Sequence, residues 1–519
     1  MMKSRSTIFL MLLFLGIVIG CKKEGSQERP NTTFLEPEIL LEAGAGASVF
    51  TVVWTASEWE ISTSEGGFIS NLSYLKGGSL NHSSSTQVRF SHSENNTSNV
   101  REQEITLKNL TSGETQKLII KQNPKPAVIL TLRTSTSFQN ISGFGGMLNP
   151  ALWQGSNQLT SEEVDRLYGP NGLGYKIMRM MIYPDPATWD RDLAIAQKAQ
   201  SLGVRIFGSP WTPPAHMKSS KVQSGGNGGY LLPEYYQEYV DHLNAFVDYM
   251  AANGVTIEAV SIQNEPDWDP EYDACVWSPA QILAFMKDYA QGIKVKVIAA
   301  EAVNFKKEFT DPVLNDATAR NNLDIVGTHL YGGGIGDYPL ARQNNKEIWM
   351  TEHLMNSDQP VDYSWEHALM LGKEVHECME ANFNAYVWWY LKRHYSMLGD
   401  GEYNSTKGAV QKRGYVLAHY AKYATGRKRV LVDKIQGNSN FMVTAYEGTD
   451  DMTLVIQNHG ATNIPALQFD LPVTISSVSA EETSATADMV AKTVVLNSDN
   501  KSVTVTIEPN SIVSIKLNK

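Results

Sequence analysis

The 519-residue sequence predicts an α/β fold: a (β/α)8 TIM barrel with a β-sandwich side domain, preceded by a small all-β sandwich domain. Three observations support this prediction. Eight short apolar runs alternate with mostly helix-length segments between Gly143 and Gly426, as a barrel of parallel strands requires. Before them, residues 35–124 contain strand-like runs separated by Ser, Asn and Gly clusters. After them, residues 431–519 return to alternating strands.

The first twenty residues have the features of a bacterial lipoprotein signal peptide. Lys3 and Arg5 form a basic n-region, and the apolar stretch from Ile8 to Ile19 is short for a permanent membrane span. Because the stretch ends at Gly20-Cys21, we expect cleavage before Cys21 and lipidation of its sulfur. An uncleaved anchor is the alternative. Residues 21–34 form a predicted polar tether, so we expect a lipid-anchored protein of the cell envelope, on the outer membrane surface or the periplasmic face.

Residues 35–124 form the first predicted β domain. Phe50–Ile61 is rich in β-branched and aromatic residues, as strands are. Trp59-Glu60-Ile61 and the closing Ile120-Lys121-Gln122 resemble the pattern of the BACON domain, a family often linked to carbohydrate-active lipoproteins. Trp54 and Trp59 either bind sugar or pack the core of this domain, and we favour the core.

The barrel is predicted over residues 127–430, with residues 127–135 joining the C-terminal side domain of residues 431–519. Between Pro233 and Asn253-Gly254, apolar residues recur at three- or four-residue spacing and predict one of the intervening helices. The predicted barrel strands are Gly143–Gly146, Lys176–Tyr183, Arg205–Trp211, Ala259–Glu265, Lys296–Glu301, Asp324–Tyr331, Glu347–Glu352 and Ala385–Tyr390.

Net charge, motif spacing and the positions of the cysteines argue against nucleic acid, a metal, a cofactor and a disulfide. A net charge of −11 argues against nucleic acid as a partner. We predict no cofactor and no metal: the acidic run Glu265–Asp273 lacks EF-hand spacing, and Gly332–Gly334 lacks the strand–helix context of a phosphate loop. Apart from Cys21, the cysteines are Cys275 and Cys378. The predicted barrel places them towards opposite ends, so a disulfide is not expected.

Two glutamates at predicted strand ends are the candidate catalytic pair. Active sites of such barrels lie at the C-terminal ends of the strands. Glu265 closes the fourth predicted strand within Gln263-Asn264-Glu265-Pro266, and Glu352 closes the seventh. Two carboxylates about 5–5.5 Å apart support retaining glycoside hydrolysis, one as nucleophile and one as acid and then base. A single strand-end glutamate is usually an ordinary salt-bridging residue, whereas two at these positions are unlikely to arise by chance.

Three further polar residues are predicted to assist this pair. Arg179 on the second strand and Tyr331 at the end of the sixth are candidate donors to the nucleophile. Asn264 is placed to bond a sugar 2-hydroxyl, a contact that strengthens as positive charge develops at the anomeric carbon. The alternative for Arg179 and Tyr331 is a purely structural role.

Three tryptophans are candidate substrate contacts. Trp211 and Trp389 lie at strand ends, where their rings could form sugar platforms. Trp153, after the first strand, could close the glycone side of the site. Packing within the protein is the alternative for each of them.

Six motifs occur in order along the barrel region, namely Gly143-Phe-Gly-Gly146, Ser209-Pro-Trp-Thr-Pro-Pro214, Gln263-Asn-Glu-Pro266, Thr328-His-Leu-Tyr331, Trp349-Met-Thr-Glu352 and Val387-Trp-Trp-Tyr390. Together they resemble glycoside hydrolase family 30, over the chain from about residue 128 to the C-terminus. The resemblance implies that Glu265 is the acid/base and Glu352 the nucleophile.

The segment after the eighth strand is similar to the glucuronoxylanase subfamily of that family. The resemblance implies that Arg393 and Tyr395 hold the carboxylate of a glucuronic acid branch, since a guanidinium fork matches a carboxylate bidentately. The alternative is that Arg393 forms a salt bridge within its own loop. Ser396–Gln411 is longer than the usual loop, and Gly332–Tyr338 and His353–Asn356 also depart from the expected forms.

The sequence therefore predicts a retaining endo-β-1,4-xylanase that hydrolyses glucuronoxylan, with the membrane contacted through the lipid anchor only. One alternative is another family 30 β-glycosidase, an endo-β-1,6-glucanase or a glucosylceramidase-like enzyme. A second alternative is a non-catalytic glycan-binding lipoprotein. Because such proteins commonly lose one residue of the acidic pair and both are present here, the enzyme is favoured.

Overall fold

The computed structural model describes residues 31–64, 66–95, 97, 100–124, 128–357 and 364–519. The chain divides into two compact units, up to residue 125 and from residue 126 onward. The predicted signal peptide and Cys21 lie outside the described residues. Among the residues that are described, no helix has the length and apolar character needed to cross a membrane.

The first unit is all-β. Its pairing order is β2-β7-β6-β3-β5-β4, and β1 pairs with β3. The strands are β1 (Asn31–Phe34), β2 (Glu38–Leu41), β3 (Gly46–Thr63), β4 (Ile69–Ser70), β5 (Lys76–His92), β6 (Arg101–Asn109) and β7 (Thr115–Gln122). All seven strands belong to one hydrogen-bonded sheet with its own apolar core. Its likeness to the BACON domain stays a prediction.

The first unit differs from the sequence prediction at its N-terminus. Residues 31–34, placed in the tether, form β1, because the ring of Phe34 is buried 5.5 Å from that of Phe50. Trp54 and Trp59 are both buried in the core of this unit, Trp59 completely. Their role in packing accounts for the aromatic character of β3.

The second unit contains a closed barrel of eight parallel strands, and the predicted fold class is confirmed. The barrel closes where β16 pairs with β9. The strands are β9 (Gly143–Met147), β10 (Ile177–Ile182), β11 (Arg205–Pro210), β12 (Ile257–Ser261), β13 (Lys296–Ala302), β14 (Ile325–His329), β15 (Glu347–Glu352) and β16 (Ala385–Trp388). The fourth strand, β12, ends at Ser261 and not at Glu265, which lies in the following loop with a left-handed φ of 48°.

The helices of the second unit surround this barrel. The long helix α4 confirms the one predicted after Pro233, which itself lies in a preceding 3-10 turn. The α-helices are α1 (Ala151–Gln154), α2 (Ser161–Tyr168), α3 (Leu193–Ser201), α4 (Tyr236–Ala252), α5 (Pro279–Asp288), α6 (Asp311–Asn315), α7 (Ala317–Asn321), α8 (Pro339–Gln343), α9 (Trp365–Glu380) and α10 (Lys412–Tyr423).

Glycines in β9 allow the barrel to close. A Cβ atom on Gly145 would lie 1.7 Å from the carbonyl oxygen of Ile177 on β10, so any side chain there would push the two strands apart. A Cβ atom on Gly146 would meet the side chain of Leu391. Large residues such as Phe207 and Trp349 fill the barrel interior instead, with their rings 5.7 Å apart.

A ten-stranded sheet completes the second unit. Its order is β22-β21-β25-β19-β18-β17-β8-β20-β24-β23. The strands are β8 (Val128–Asn140), β17 (Lys428–Val432), β18 (Phe441–Glu447), β19 (Asp451–Asn458), β20 (Ile464–Asp470), β21 (Ser477–Thr483), β22 (Val490–Ala491), β23 (Val494–Leu496), β24 (Ser502–Ile507) and β25 (Ser511–Asn518). β8 lies between β17 and β20, so the segment before the barrel and the C-terminal region share one sheet. Cys275 and Cys378 are buried free thiols.

Candidate active site

A cavity of about 710 Å³ opens beside the carboxyl ends of the barrel strands. Both candidate catalytic residues, Glu265 and Glu352, line it. The rest of its described lining is Trp153, Trp211, Trp268, Tyr272, Val303, Tyr331, Leu354, Trp389 and Tyr390. Two acidic groups in a mainly aromatic cleft are suited to a sugar chain, whose rings have apolar faces and whose glycosidic oxygens need protonation.

Glu352, the last residue of β15, is held by two donors. The guanidinium of Arg179 donates a short hydrogen bond from Nη1 to its Oε2. The hydroxyl of Tyr331 donates to Oε1 at 2.8 Å. These contacts confine the carboxylate within the barrel mouth and stabilise its negative charge, as a nucleophile requires.

Arg179 on β10 connects the end of β15, which carries Glu352, with the loop that carries Glu265. Its side chain is completely buried. Besides Glu352, its Nη2 donates to Asn264 Oδ1 at 2.7 Å, to Ser209 Oγ at 3.1 Å and to Glu301 Oε1 at 3.2 Å. The bond to Oδ1 of Asn264 orients the amide of that residue, so its Nδ2 is the atom left to donate to a ligand.

Glu265 lies in the loop after β12 in a strained, left-handed conformation. Its backbone N–H donates to the carbonyl of Glu301 at 3.0 Å, which fixes the loop against β13. Its Oε1 lies 3.1 Å from Nδ1 of His329. Burial raises the pKa of Glu265, a shift opposed by the His329 hydrogen bond and supported by the charge of Glu352. A carboxyl with a raised pKa is suited to donate a proton.

A third carboxylate, Glu301 at the end of β13, lies beneath the pair. It is completely buried and has a φ of 52°. Burial alone would raise the pKa of Glu301, but Arg179, His329 and Ser209 hold it well below the ordinary carboxyl range. A Cβ atom on Gly327 would lie 2.9 Å from Cγ of Glu301, so this glycine makes the room that the side chain needs.

His329, the last residue of β14, lies between two carboxylates. Its Nδ1 faces Glu265, and its Nε2 lies 3.9 Å from Oε1 of Glu301. Burial alone would lower the pKa of His329, but the charge of Glu352 and the nearby carboxylates of Glu265 and Glu301 raise it to about 9. Although Glu265, His329 and Glu352 could hold a metal ion on distance alone, a protonated imidazole offers no lone pair.

The two candidate catalytic carboxylates are close together. One oxygen of Glu265 and one of Glu352 lie within 4.8 Å of each other. Inverting glycosidases separate their carboxyl groups by about 6.5–9.5 Å to admit a water molecule, whereas retaining enzymes use about 5–5.5 Å. The separation of the Glu265 and Glu352 oxygens is therefore nearer to the spacing of retaining enzymes than to that of inverting enzymes.

Aromatic side chains form the walls of the cavity. Trp211 is buried, with its ring 4.7 Å from Cζ of Arg179, and it packs against Trp153 at 5.4 Å and Trp389 at 5.6 Å. By contrast, Trp268 and Tyr272, in the loop after Glu265, are about half exposed, at 52% and 51%. Exposed rings at a cleft are the ones available to stack on a ligand.

The structure brings most of the sequence-predicted residues together, with two exceptions. Arg393 and Tyr395 do not belong to the described lining of the cavity. Nη1 of Arg393 donates to Oε1 of Gln154 at 2.9 Å, and its Nε lies 3.5 Å from Oδ2 of Asp400. Tyr395 is buried. Arg393 therefore forms its ion pair within its own loop, as in the alternative prediction, and its hydrogen bond with α1.

Sequence reasoning missed four residues of the site. Glu301 follows the same rule as Glu352, a glutamate at the end of a barrel strand, and could have been found by it. His329 is likewise the last residue of β14. Trp268 and Tyr272 lie in the acidic run after Glu265, which was considered only as a calcium loop.

The known proteins that this chain resembles include several glycoside hydrolases. A family model described as glycosyl hydrolase family 59 matches residues 189–411. Glucuronoxylanase XynC of Bacillus subtilis (strain 168) is 37% identical over 343 residues, which cover 64% of this chain and 79% of that protein. Endo-1,6-beta-D-glucanase BGN16.3 of Trichoderma harzianum is 24% identical over 274 residues, covering 42% of this chain and 56% of that protein.

Among solved structures, the glycoside hydrolase family 30 subfamily 8 xylanase Xyn30A of Clostridium acetobutylicum superposes with a TM-score of 0.67 at 32% identity. The match covers 75% of this chain and 99% of that one. The family 59 model, in comparison, spans less than half of this chain. The match to Xyn30A therefore carries more weight than the family model.

Proposed function

The chain belongs to glycoside hydrolase family 30, and from this premise we propose that it is a retaining endo-β-1,4-xylanase that hydrolyses glucuronoxylan. The observation that carries the proposal is the pair of Glu265 and Glu352 oxygens within 4.8 Å of each other in an aromatic cleft. The similarity to the Bacillus relative, which is named a glucuronoxylanase, supports the proposed substrate.

The mechanism uses the two carboxylates in different protonation states. Glu352 attacks the anomeric carbon and forms a glycosyl–enzyme ester, while Glu265 donates its proton to the departing glycosidic oxygen. Glu265 then removes a proton from water, which attacks the same carbon and releases Glu352. Two displacements retain the configuration. The raised pKa of Glu265 supports its role as the acid.

The surrounding residues stabilise this division of roles. Arg179 and Tyr331 donate to Glu352 before the bond to sugar forms. Nδ2 of Asn264, oriented by Arg179, is available to a sugar 2-hydroxyl. Trp268 and Tyr272 supply exposed aromatic faces for sugar rings bound beside the scissile bond.

Recognition of the glucuronic acid branch requires Arg393 to change partners. Its contact with Asp400, at 3.5 Å, is an ion pair without hydrogen-bond geometry. A branch carboxylate that accepts hydrogen bonds from two guanidinium nitrogens of Arg393 would form a bidentate contact, which is stronger than this ion pair. We therefore propose that the branch displaces Asp400 from Arg393, with Tyr395 lying against the same guanidinium at 5.9 Å.

We expect Arg393→Ala to lower kcat/KM on glucuronoxylan by about 10- to 100-fold, since a charged hydrogen bond contributes about 1.5–3 kcal/mol. Activity on unbranched xylan should be unchanged. Product masses and kcat/KM on both substrates provide the test, with Arg191→Ala as the control for loss of a well-exposed arginine. Full activity of the Arg393 variant on glucuronoxylan, or wild-type products that ignore branch position, would contradict branch recognition.

A second candidate function is a family 30 hydrolase without a branch requirement, such as an endo-β-1,6-glucanase or a glucosylceramidase-like enzyme. The observation that favours it is the pairing of Arg393 with Asp400 and Gln154 away from the cavity lining. Including β-1,6-glucan and an aryl β-glucoside in the same substrate panel decides between the two.

We also propose that Cys21 carries a lipid and anchors the enzyme to the cell envelope. The apolar stretch that ends in Gly20-Cys21 supports this proposal. Cells given labelled palmitate should incorporate it into the wild-type protein and not into the Cys21→Ala variant. Equal labelling of both proteins would reject the anchor.

A further inference from the structure

We propose that the loop after β16 binds a divalent transition-metal ion, with Zn²⁺ as the best fit, through His394, Asp400 and Glu402. One ligand atom of each residue lies within 4.8 Å of those of the other two. His394 and Asp400 are buried, and Glu402 is exposed. The site is separate from the catalytic pair, since none of the three residues lines the cavity.

The imidazole of His394 has the hydrogen bonding of a metal ligand. It is 3% exposed, and its Nε2 lies 3.1 Å from the backbone carbonyl of Ser357. A carbonyl only accepts, so Nε2 carries the proton and Nδ1 carries the lone pair. Nδ1 is buried and has no hydrogen-bond partner among the residues that the structure describes. Metal-bound histidines are commonly fixed in this way, by a backbone carbonyl on the other nitrogen.

Asp400 also has a carboxylate oxygen, Oδ2, that accepts no hydrogen bond from any described residue. Its Oδ1 accepts from the backbone N–H of Glu402 at 3.0 Å and from Ser405 Oγ at 3.3 Å. Its Oδ2 is buried and has no hydrogen bond within the described part of the chain, although Nε of Arg393 lies 3.5 Å away. A buried carboxylate oxygen without a hydrogen bond is energetically unfavourable, and a bound cation would remove this cost.

Glu402 is the exposed ligand of the proposed site, on the side from which an ion would enter. It lies at the exposed end of a loop that is otherwise held to the protein by bridges of Leu398 with Lys392 and Val410, and of Gly399 with Lys407. A tetrahedral Zn²⁺ ion bonds nitrogen and oxygen at about 2.0–2.2 Å, so two of its ligand atoms lie about 3.3–3.6 Å apart. The ligand atoms, which lie within 4.8 Å of one another, therefore need to approach by up to about 1.5 Å, a movement that the exposed Glu402 can supply.

The ligand set favours zinc over calcium. One imidazole nitrogen and two carboxylates, with water in the fourth position, match a tetrahedral zinc site. Calcium takes about 6–8 oxygen ligands and has little use for a nitrogen. We therefore expect this loop to discriminate strongly between the two ions.

Metal binding would also act on Arg393, a step that rests on the proposed function. A cation on Oδ2 of Asp400 replaces the ion pair with Arg393 by a like-charge contact. The guanidinium is then released from the loop. In that case Zn²⁺ should lower KM for glucuronoxylan and leave KM for unbranched xylan unchanged.

The test is calorimetric titration of ZnCl2 into the tag-free full-length protein, stripped with EDTA and returned to a buffer that does not chelate metal. We expect one equivalent to bind to the loop, with affinity at least tenfold weaker in Glu402→Gln and in His394→Gln. Glu114→Gln, which removes an exposed glutamate from the first unit, should bind as the wild type does. CaCl2 should give no saturable heat.

Glu352→Gln is a necessary companion, because Glu265, His329 and Glu352 form a second group with metal-ligand spacing. Loop binding persists in that variant, whereas binding at the catalytic pair is lost. The proposal would be overturned if the wild type did not bind zinc or if it bound calcium more tightly than zinc. Wild-type zinc affinity in both loop variants, Glu402→Gln and His394→Gln, would also overturn it. Zinc binding by a protein inactive on every xylan would leave the site standing and remove only the proposed function.

Discussion

Glu352→Gln is expected to lower kcat on xylan by a factor of at least about 10⁴, the order seen when a catalytic nucleophile is removed. An amide cannot form the glycosyl ester, yet it keeps an oxygen that can accept from Tyr331. Arg179 still has Glu301 as an anionic partner, so no uncompensated buried charge results. The measurement is kcat on xylan, with the midpoint of thermal unfolding as the check on folding.

The matched control is Glu347→Gln, at the opposite end of the same strand. Glu347 accepts from Ser142 Oγ and Trp349 Nε1, which an amide oxygen can replace in part. This variant should stay within a few-fold of wild-type activity. With azide present, Glu352→Ala acting on an activated aryl xyloside should yield the α-configured xylosyl azide. Retained turnover by Glu352→Gln would remove Glu352 from the mechanism.

Glu265→Gln is expected to lower kcat on xylan by about 10²–10⁴, the range that a general acid–base contributes. The loss should depend on the leaving group. A dinitrophenyl xyloside needs no proton from Glu265, so the burst that reports glycosylation should stay close to wild type. Deglycosylation is slowed, because water has lost its base, and azide should restore turnover with the β-configured product.

The pH profile gives an independent readout. Because burial raises the pKa of Glu265 and the acid works only when protonated, wild-type kcat/KM should fall as pH rises through this pKa. On xylan, whose leaving group needs this proton, the alkaline limb should disappear in Glu265→Gln. A limb that stays unchanged in the variant would assign the titration to another group, and a uniform loss on both substrates would argue against proton donation.

Much of the fold could be predicted from the sequence because its signals are local. Apolar runs of strand length, separated by helical spacing, placed all eight barrel strands within a few residues. The largest difference is the early end of β12 at Ser261, after which the chain forms a loop in which Glu265 has a left-handed φ that no side-chain pattern indicates. The short strand β1 was missed, since its pairing with β3 is not visible in three polar residues followed by a single phenylalanine.

The sequence by itself determined the barrel and the positions of Glu265 and Glu352, since strand-end residues of a barrel converge at one face whatever the loops do. Only the tertiary structure decided the partners of these groups. Arg179 contacts Glu301 across 122 positions of sequence, and Arg393 lies against Asp400 instead of the cavity. Such pairings depend on the paths of loops and on burial in the folded chain. Local sequence patterns encode neither.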